Sequence, residues 1–320
     1  MLAALNHRQP DDQVAAWEIE FQLHEELLGE GLVVGEAFAK LTPKERDLTI
    51  HRNVELIIQT AERTQQCALL ATAGYWEISP GKPALLWLPD KEAELAELRA
   101  LVEMAGDEYM ILGRAGGTIG IPNGERMSEF AYQLYDDRQG IIQRTREGME
   151  RSIAWGKRLV DLGAEGVVMC TDVAFNNGPF LKPDLVHEIM EPTIHMWAET
   201  FREMGVYTIW HTDGNVEPLM PMMVEAGVSA LQAIDPIAGM DIVALKQQYA
   251  GKLALIGNIN CLTLQFGPPE AIEQECKTLL ESCKTGGGFV YGSSNAVFKG
   301  IPIEHYQVAI DAIARYGQYA

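Results

Sequence analysis

The chain alternates short apolar runs with longer helical patterns, and this alternation occurs eight times. Eight parallel strands with helices between them are the pattern of a TIM (β/α)8 barrel, an α/β fold in which the sheet closes on itself. An open doubly wound sheet would not need eight evenly distributed strands. We therefore predict a barrel. The predicted strands are 14–19, 67–72, 109–112, 166–170, 207–210, 230–234, 253–256 and 289–292.

Helical patterns occupy the intervals between these runs, with apolar residues spaced close to 3.6 residues apart or with proline or aspartate at the first turn. Residues 21–66 are predicted to form an N-terminal helical elaboration, and 73–108 an inserted loop and helix. No repeat or flexible linker divides the sequence, so residues 1–320 are predicted to form one domain. The main helical segments are 144–162, 183–204, 218–226, 241–249 and 269–280.

The charge of the chain is strongly negative, because it contains 45 acidic and 25 basic residues, which gives a net charge of −20. Such a field repels phosphate backbones and anionic lipid, so we expect neither nucleic acid nor a membrane surface as a partner. The five cysteines are scattered, with no close CxxC pair, which disfavours a disulfide framework. Because no apolar stretch has the length of a signal peptide core or a membrane span, we expect a cytoplasmic protein.

Polar residues follow nearly every predicted strand, and the carboxyl ends of barrel strands meet at the face where the chemistry of TIM barrels takes place. Turn formation alone explains many of these Asn, Asp and Ser residues, but Arg114 and His211 are not turn formers. The candidate site residues are Glu18, Glu20, Arg114, Asp172, Asn176, His211, Asp213, Asn258 and Asn295.

His211 and Asp213 carry the strongest local signal. They are two residues apart after a predicted strand, so both side chains project to the same side. They would either bind a metal, with Glu18, Glu20 or Asn295 as a third ligand, or form a pair in which the carboxylate orients the imidazole as a general acid. An ordinary turn with a hydrogen-bonded histidine is the structural alternative.

The first predicted strand contains two acidic residues. Glu18 and Glu20 alternate with Trp17 and Ile19, so the two glutamates share one face. We expect that face to point at the central cavity of the barrel, although a solvated edge would have the same pattern.

Arg114 lies among glycines, which let a ligand approach the backbone, and its guanidinium suits a carboxylate or a phosphate. The structural alternative is an ion pair with Asp172 across the barrel mouth. Cys170, between Met169 and Thr171, is predicted to be a core residue rather than a nucleophile.

These segments resemble the uroporphyrinogen decarboxylase superfamily, whose fold is a TIM barrel. The resemblance covers nearly the whole chain and is best from about Gly166 to the C-terminus. The segments that carry it include Thr171-Asp172-Val173, His211-Thr212-Asp213-Gly214-Asn215, Glu225-Ala226-Gly227-Val228, Gly257-Asn258-Ile259 and Ile301-Pro302-Ile303-Glu304.

The superfamily contains two kinds of enzyme. True uroporphyrinogen decarboxylases carry an arginine-bearing segment after the first strand, which matches the many carboxylates of their substrate. This chain has Glu18 and Glu20 there, and two glutamates would repel a polyanion. The second kind comprises corrinoid-dependent methyltransferases, which move methyl groups between small donors or thiols and a separate cobalamin-carrying protein.

Thiol-methylating members of the second branch coordinate zinc through a His-x-Cys pair and a later cysteine. This chain keeps His211 but has Asp213 at the first cysteine position and, by its spacing to Pro302, Asn295 near the second. The resemblance therefore implies a harder site of nitrogen and oxygen ligands, in which zinc is one option, or a metal-free acid–base site.

The leading functional prediction is transfer of a methyl group from a small methyl ether or methylamine to the cobalt of a partner corrinoid protein. His211 and Asp213 would assist the leaving group, with Glu18 and Glu20 as alternative acids. The residues predicted to hold the substrate are Arg114, Asp172, Asn176, Asn258 and Asn295.

Two alternatives stay open at this point. A decarboxylase of another carboxylated substrate would use Arg114 to bind the carboxylate and Asp172 or Asp213 to protonate the product. A non-catalytic barrel that binds a ligand or a corrinoid protein is the other alternative. A homodimer is also an open option.

Overall fold

Seven parallel strands form one curved sheet in the computed structural model, which describes residues 1–71, 74–76, 85–88 and 90–319. Each strand pairs with the next one along the chain, as right-handed βα units produce. This mixed architecture confirms the predicted α/β class and is consistent with a TIM barrel. The strands are β1 (Ala68–Ala71), β2 (Met110–Arg114), β3 (Gly166–Cys170), β4 (Tyr207–His211), β5 (Ala230–Gln232), β6 (Ala254–Ile259) and β7 (Phe289–Ser293).

The eighth position is occupied by an extended segment around Ala16. Toward β7, the Tyr291 amide donates to the Ala15 carbonyl (2.8 Å) and the Trp17 amide donates to the Tyr291 carbonyl (2.9 Å). Toward β1, the Cys67 amide donates to the Ala16 carbonyl (2.9 Å). This segment therefore bridges the two outer strands of the sheet.

The prediction of a regular strand over 14–19 is wrong, because the segment forms only an isolated parallel bridge between Ala16 and Tyr291. The physical reason lies at Glu18, whose backbone amide donates to the side-chain Oε1 of Gln66 (3.2 Å). A side chain thus takes the donor that a continued ladder to β1 would use.

The other seven predicted strands are present. The strand predicted over 166–170 has the predicted ends, and each of the other six is shifted at one or both ends. The strand predicted over 230–234 ends at Gln232, because Ala233 and Ile234 adopt positive φ angles of 103° and 50°. The strand predicted over 253–256 continues to Ile259. The last residue of the strand predicted over 67–72, Thr72, lies outside the described residues.

The predicted N-terminal elaboration over 21–66 is helical, with helices His24–Leu28, Gly35–Ala39 and Pro43–Thr64. In the predicted insertion over 73–108, the described residues form a small antiparallel hairpin, Gly74–Trp76 with Leu85–Trp87, and the helix Lys91–Ala105. The remaining α-helices are Leu2–Leu5, Met127–Asp136, Arg138–Asp161, Pro183–Leu185, Glu191–Glu203, Met220–Ala226, Ile242–Gln248, Cys261–Phe266, Pro269–Cys283 and Ile303–Tyr316.

Three short irregular turns extend these helices. A π-helical turn, Val186–Met190, joins Pro183–Leu185 to Glu191–Glu203, so the segment predicted over 183–204 is one long helical stretch. Single 3₁₀ turns, Gly124–Arg126 and Glu217–Leu219, precede Met127–Asp136 and Met220–Ala226. Within the described ranges, no helix combines the length and the apolar character that a membrane span needs.

A separate apolar cluster fills the space enclosed by the sheet. It takes buried residues from the Ala16 segment and from all seven strands, and the N-terminal helix adds Ala4 and Leu5. Access from the amino-terminal end of the strands is therefore closed, and the carboxyl ends form the mouth of the barrel. The large side chains of this cluster are Trp17, Ile19, Met110, Leu112, Val168, Ile209, Ile256 and Val290.

Glu18 does not point at the central cavity, which corrects the expectation from the sequence. Its neighbours Trp17 and Ile19 face the interior, so Glu18 faces the layer between the sheet and the helix Ile303–Tyr316. There Ser293 N donates to Glu18 Oε1 (3.1 Å), as does the Tyr306 hydroxyl (3.1 Å). Burial raises the pKa of this carboxyl to about 7, and the hydrogen bonds from Ser293 and Tyr306 oppose the rise.

The Ser293 hydroxyl indicates which form Glu18 takes. This hydroxyl lies 2.5 Å from Glu18 Oε2 and 2.5 Å from the Asn295 carbonyl oxygen, and it has a single proton. A neutral Glu18 donates to the Ser293 oxygen and leaves the hydroxyl proton for the Asn295 carbonyl, which satisfies every group. Protonated Glu18 thus fits the hydrogen-bond pattern.

We predict that the stability of the protein depends on pH through Glu18. The folded state holds the Glu18 proton more tightly than the unfolded state, so this contribution is complete below about pH 4.5, declines between pH 4.5 and 7, and is flat above. The full effect is at most about 3 kcal/mol, at 1.36 kcal/mol per pKa unit.

Glu18→Gln should remove this dependence, because the amide donates to Ser293 as the neutral acid does. Urea denaturation from pH 4.5 to 8 gives the free energy of unfolding of both proteins. The difference between the two values at each pH measures the contribution of Glu18. A difference that stays constant over that range would show that Glu18 is ionised throughout.

Candidate active site at the mouth of the barrel

Strand alternation decides which side chains line the mouth. Leu112, Val168, Ile209, Ala230 and Ile256 face the barrel interior, and the residue two positions further along each strand faces the same way at the carboxyl end. This layer is polar, unlike the apolar layers below it, and TIM-barrel active sites lie at this end. Its members are Arg114, Cys170, His211, Gln232 and Asn258.

Three side chains of the types that bind metal ions lie close together at this layer. His211 at the end of β4 lies with Asp213 and with Asp172, which follows β3, so that one ligand atom of each lies within 4.8 Å of the others. The Asp213 amide also donates to Asp172 Oδ1 (3.0 Å). The spacing argument that placed His211 and Asp213 on one side is consistent with this geometry, and Asp172 joins them from the neighbouring strand.

The backbone between the two strand ends holds this cluster in place. The Thr171 amide donates to the His211 carbonyl (3.2 Å), and the Val173 amide donates to the Thr212 hydroxyl (3.2 Å). Gly214 then turns the chain with a φ of 83°, and a Cβ there would lie 2.3 Å from the Ala174 carbonyl oxygen. A side chain at Gly214 is therefore excluded by both conformation and space.

Asp213 is the electrostatically strained member of the cluster. Its pKa is raised to about 6, and burial is the largest cause. The charge of His211 lowers the pKa, the negative charges of Asp172 and Asp235 raise it, and the Asn295 hydrogen bond lowers it. Asn295 Nδ2 donates to Asp213 Oδ2 at 2.6 Å. The two positions at which the resemblance places cysteine in thiol-methylating enzymes are thus in direct contact here.

Gln232, which the sequence analysis did not single out, orients His211. Its Nε2 donates to the Ser293 carbonyl (3.3 Å), which directs its Oε1 at His211 Nδ1. The reverse amide orientation would place two carbonyl oxygens against each other. Because Oε1 can only accept, Nδ1 of His211 carries a proton and Nε2 is left to face the cluster.

Arg114 and Cys170 lie at the ends of β2 and β3, the strands that precede β4 in the sheet. Arg114 Nη2 pairs with Glu20 Oε2 at 3.4 Å, and both side chains are largely buried. Glu20 also accepts from Gln22 Nε2 (2.6 Å). The expected structural partner of Arg114 was Asp172, whereas the ion pair observed is with Glu20.

Cys170 corrects a second expectation, because its side chain is exposed to solvent rather than part of the core. Its thiol lies among Arg114, Glu20, Asp172 and Asp213. Its surroundings in the concave mouth remove enough water to raise the pKa of the thiol, and the charge of Arg114 opposes that rise. The alternation from buried Val168 was the signal that would have placed Cys170 in the mouth.

Of the remaining predicted site residues, Asn295 contacts the cluster and the others lie apart from it. Asn176 is exposed in the turn between the short strands Ala174–Phe175 and Gly178–Pro179. Asn258 is buried and donates to the Ile234 carbonyl (2.8 Å), which holds the backbone after β5. Glu18 lies behind the sheet, and Asn295 presents an amide donor to Asp213, so Asp172 takes the place expected of a third ligand.

The donor set of the cluster fits a divalent cation. One imidazole nitrogen and two carboxylates are ligands that zinc accepts, and three protein ligands leave a position open. Each ligand also has a second hydrogen-bond partner that holds it: Gln232 for His211, Asn295 for Asp213, and the Asp213 amide for Asp172. Such outer partners are typical of functional metal sites.

Comparison with known proteins identifies related sequences. The family model described as uroporphyrinogen decarboxylase matches residues 101–316. A uroporphyrinogen decarboxylase of Mannheimia succiniciproducens is 32% identical over 79 residues, 25% of this chain and 22% of that one. A methylcobamide:CoM methyltransferase of Methanosarcina barkeri is 22% identical over 227 residues, 70% of this chain and 63% of that one. Both matches span less than two thirds of the relative's length.

Solved structures share the fold. A methyltransferase from Methanosarcina mazei superposes with a TM-score of 0.72 at 17% identity, covering 98% of this chain and 97% of that one. A putative vitamin-B12 independent methionine synthase from Listeria monocytogenes superposes with a TM-score of 0.53 at 11% identity, covering 95% and 99%. At these identities the likeness shows the fold alone.

We predict that His211 is held in the Nδ1–H form. In protein treated with chelator and labelled with ¹⁵N-histidine, the His211 nitrogens should show a protonated Nδ1 at pH 8.5. Gln232→Leu removes the acceptor and should abolish this single tautomer. Gln232→Glu keeps an acceptor and should retain it, so Gln232→Glu is the matched control. A protonated Nε2 as the only NH in the wild type would contradict the assignment.

We also predict that Cys170 is the cysteine most accessible to alkylation. Iodoacetamide should modify Cys170 first, while the buried Cys261, Cys276 and Cys283 stay unmodified in the folded protein. Because the pKa of the Cys170 thiol is raised, labelling should be at least about fiftyfold faster at pH 9 than at pH 7, in proportion to the thiolate fraction. Peptide mass spectrometry measures both results. Modification of Cys276 ahead of Cys170 would refute the placement.

Proposed function

We propose that this chain, which belongs to the uroporphyrinogen decarboxylase family, transfers a methyl group from a small methyl ether or methylamine to the cobalt of a separate corrinoid protein. The main observation behind this proposal is the cluster of His211, Asp213 and Asp172 at the barrel mouth, with Asn295 hydrogen-bonded to Asp213. The similarity to a methylcobamide:CoM methyltransferase over 70% of the chain supports the methyl-transfer branch of the family.

The charge of the mouth argues against a polycarboxylate substrate. Asp172, Asp213 and Asp235 lie together at the ends of adjacent strands, and Glu20 neutralises Arg114. A porphyrinogen with several carboxylates would meet a net negative surface in a chain whose overall charge is already −20. A neutral ether or a cationic amine meets no such repulsion.

The ligands of the cluster argue against a thiol acceptor. Thiolates are soft, and the zinc sites implied for thiol-methylating relatives contain cysteine at the positions where this chain has Asp213 and Asn295. Imidazole and carboxylate ligands form a harder site, suited to oxygen or nitrogen groups. Cys170 is one strand away from His211 in the sheet, yet it is not among the residues that converge on the cluster.

The transfer requires an acid at the leaving atom. The bond between the methyl carbon and oxygen or nitrogen breaks, and its electron pair goes to the leaving oxygen or nitrogen. The bond between the methyl carbon and cobalt(I) forms with an electron pair of cobalt, which becomes cobalt(III). That atom must then gain a proton. Asp213, with a pKa near 6, is the group that holds a proton at this position, and His211 would deliver one from Nε2 when its ring is protonated on both nitrogens.

Zinc fits the same residues. Asp172, His211 and Asp213 would hold it, and when bound it would supply Lewis acidity that weakens the bond to the leaving oxygen or nitrogen. Gln232 and Asn295 then serve to hold the ligands in position, and the buried layer of the barrel below the site excludes water. Arg114, Cys170 and Glu20 would line the substrate space next to the cluster, toward β2.

Methyl transfer to cobalt tests this proposal directly. The purified protein is mixed with a corrinoid protein reduced to cobalt(I) and with methoxylated aromatics, methanol and mono-, di- and trimethylamine in turn. Conversion to methyl-cobalt(III), followed by absorbance, is the expected result with at least one donor. Methyl transfer from methylcobalamin to 2-mercaptoethanesulfonate should not occur.

Two other outcomes would replace the proposal. Arg114 at the mouth and the 32% identity to a decarboxylase favour decarboxylation as the second candidate. Release of carbon dioxide from a carboxylated substrate, without methyl transfer, would establish that reaction. Corrinoid-protein binding without any turnover would instead identify a non-catalytic barrel.

We predict that the protein retains about one zinc when it is purified without chelator and that His211→Ala loses it. The loss of one of three ligands removes the only nitrogen donor of the cluster. His195, which lies on the helix Glu191–Glu203 and pairs with Glu191, provides the matched control His195→Ala. Elemental analysis by mass spectrometry measures the metal. If the wild type is metal-free and fully active in methyl transfer, proton transfer is the role that remains for His211. If His211→Ala keeps full activity, His211 neither binds a required metal nor transfers the proton.

A further inference from the structure

Four large apolar side chains are exposed on the loops at the mouth of the barrel. They are Phe175 (46% exposed), Ile237 (48%), Leu262 (49%) and Phe266 (74%). Each follows the carboxyl end of a strand, Phe175 after β3, Ile237 after β5, and Leu262 and Phe266 after β6. We call these four residues the rim patch. Apolar side chains grouped on one end of a molecule are typical of an interaction surface, whereas single exposed ones are ordinary.

Hydrogen bonds connect the rim patch to the site. The Asn215 amide donates to the Phe175 carbonyl (2.9 Å), and Asn215 Nδ2 donates to the Ala238 carbonyl (3.3 Å), next to Ile237. Asn215 itself follows Asp213 by two residues. The segments that contain Phe175 and Ile237 are therefore hydrogen-bonded to the same turn that contains Asp213.

The other half of the rim patch is connected through β7. Cys261, adjacent to Leu262, accepts from the Ser294 hydroxyl (3.6 Å) and donates to the Ala296 carbonyl (3.7 Å). Asn295, between these two partners, donates to Asp213. The loops that carry the rim patch thus surround Asp213 from both sides.

Four segments at the mouth together contain acidic residues but no basic ones. Segments 171–181, 212–219, 233–241 and 260–268 contain no Lys or Arg. They contain five carboxylates, from Asp172, Asp213, Glu217, Asp235 and Asp241. Lys182 directly follows the first segment and Lys299 lies in the loop after β7, so acids predominate around the patch but are not its only charges. An apolar patch bordered mainly by acids is complementary to an apolar patch bordered by Lys and Arg. A second copy of this chain would bring the same five carboxylates against them, and like charges disfavour that pairing.

We propose that the rim patch is the docking surface for the corrinoid protein that accepts the methyl group, and that this partner presents an apolar patch bordered by basic residues. The assignment rests on the proposed function, because the cobalt must approach the cluster of Asp172, His211 and Asp213. The apolar layer and the N-terminal helix close the barrel from below, so the approach is through the mouth.

The test compares two methyl acceptors. Phe175→Ser/Ile237→Ser removes half of the rim patch without changing any residue of the cluster. Leu48→Ser is the matched control, because Leu48 is 62% exposed on the helix Pro43–Thr64, which packs beside β1 across the sheet. Each protein is assayed with a methyl donor active in the wild type, once with the corrinoid protein and once with free cob(I)alamin.

The double variant should lower kcat/KM for the corrinoid protein at least about tenfold, as the loss of central apolar contacts does. Its rate with free cob(I)alamin should change less than about twofold, which also shows that the variant is folded. Raising sodium chloride from 50 to 500 mM should weaken the wild-type reaction with the corrinoid protein but not with free cob(I)alamin.

Three results would overturn the assignment. The first is an unchanged rate of the double variant with the corrinoid protein, and the second is an equal loss with both acceptors. The third is a wild-type dimer in sedimentation that the double variant abolishes, since the patch would then join two copies. If the wild type methylates neither acceptor, the proposed function itself fails, a result distinct from these three.

Discussion

The hydrogen bonds around Ser293 join the closure of the barrel to the geometry of the site. Glu18, in the segment that completes the ring, is hydrogen-bonded to the Ser293 hydroxyl. The Ser293 carbonyl accepts from Gln232, which orients His211. The Ser293 hydroxyl also contacts the backbone of Asn295. A buried carboxyl without these partners would destabilise the fold, so the network makes closure and ligand orientation depend on each other. The arrangement of His211 is therefore a property of the whole barrel rather than of one loop.

The electrostatics of the mouth follow from the same topology. Adjacent parallel strands end with Asp172, Asp213 and Asp235, so the fold brings carboxylates together that are far apart in the sequence. Their repulsion, together with burial, raises the pKa of Asp213 to about 6. Either a proton or a divalent cation relieves that repulsion, and both are useful to a reaction whose leaving atom gains negative charge. The strained cluster thus indicates reactivity rather than stability.

Strand periodicity predicted much of the fold and part of the site. Seven of the eight strands and the helical elaboration followed from apolar runs, because burial on both faces makes barrel strands apolar. The same property explains the error at Glu18, because both faces of a barrel strand are covered and alternation does not show which of them points inward. Glu20 reaches Arg114 at the mouth although Glu18 lies behind the sheet, because this segment is not a regular strand. Gln232 and Cys170 were missed because their roles depend on register relative to buried neighbours. Only the assembled sheet shows that Gln232 reaches both His211 and Ser293.

We propose that Asp172, His211 and Asp213 form a cation site of nitrogen and oxygen ligands without sulfur. X-ray absorption at the zinc edge of the metal-loaded protein measures the ligand set directly. We expect a first shell of nitrogen and oxygen at about 2.0–2.2 Å, including one imidazole, which disappears in His211→Ala. A sulfur ligand at about 2.3 Å would place Cys170 or another thiolate on the metal and contradict this ligand set.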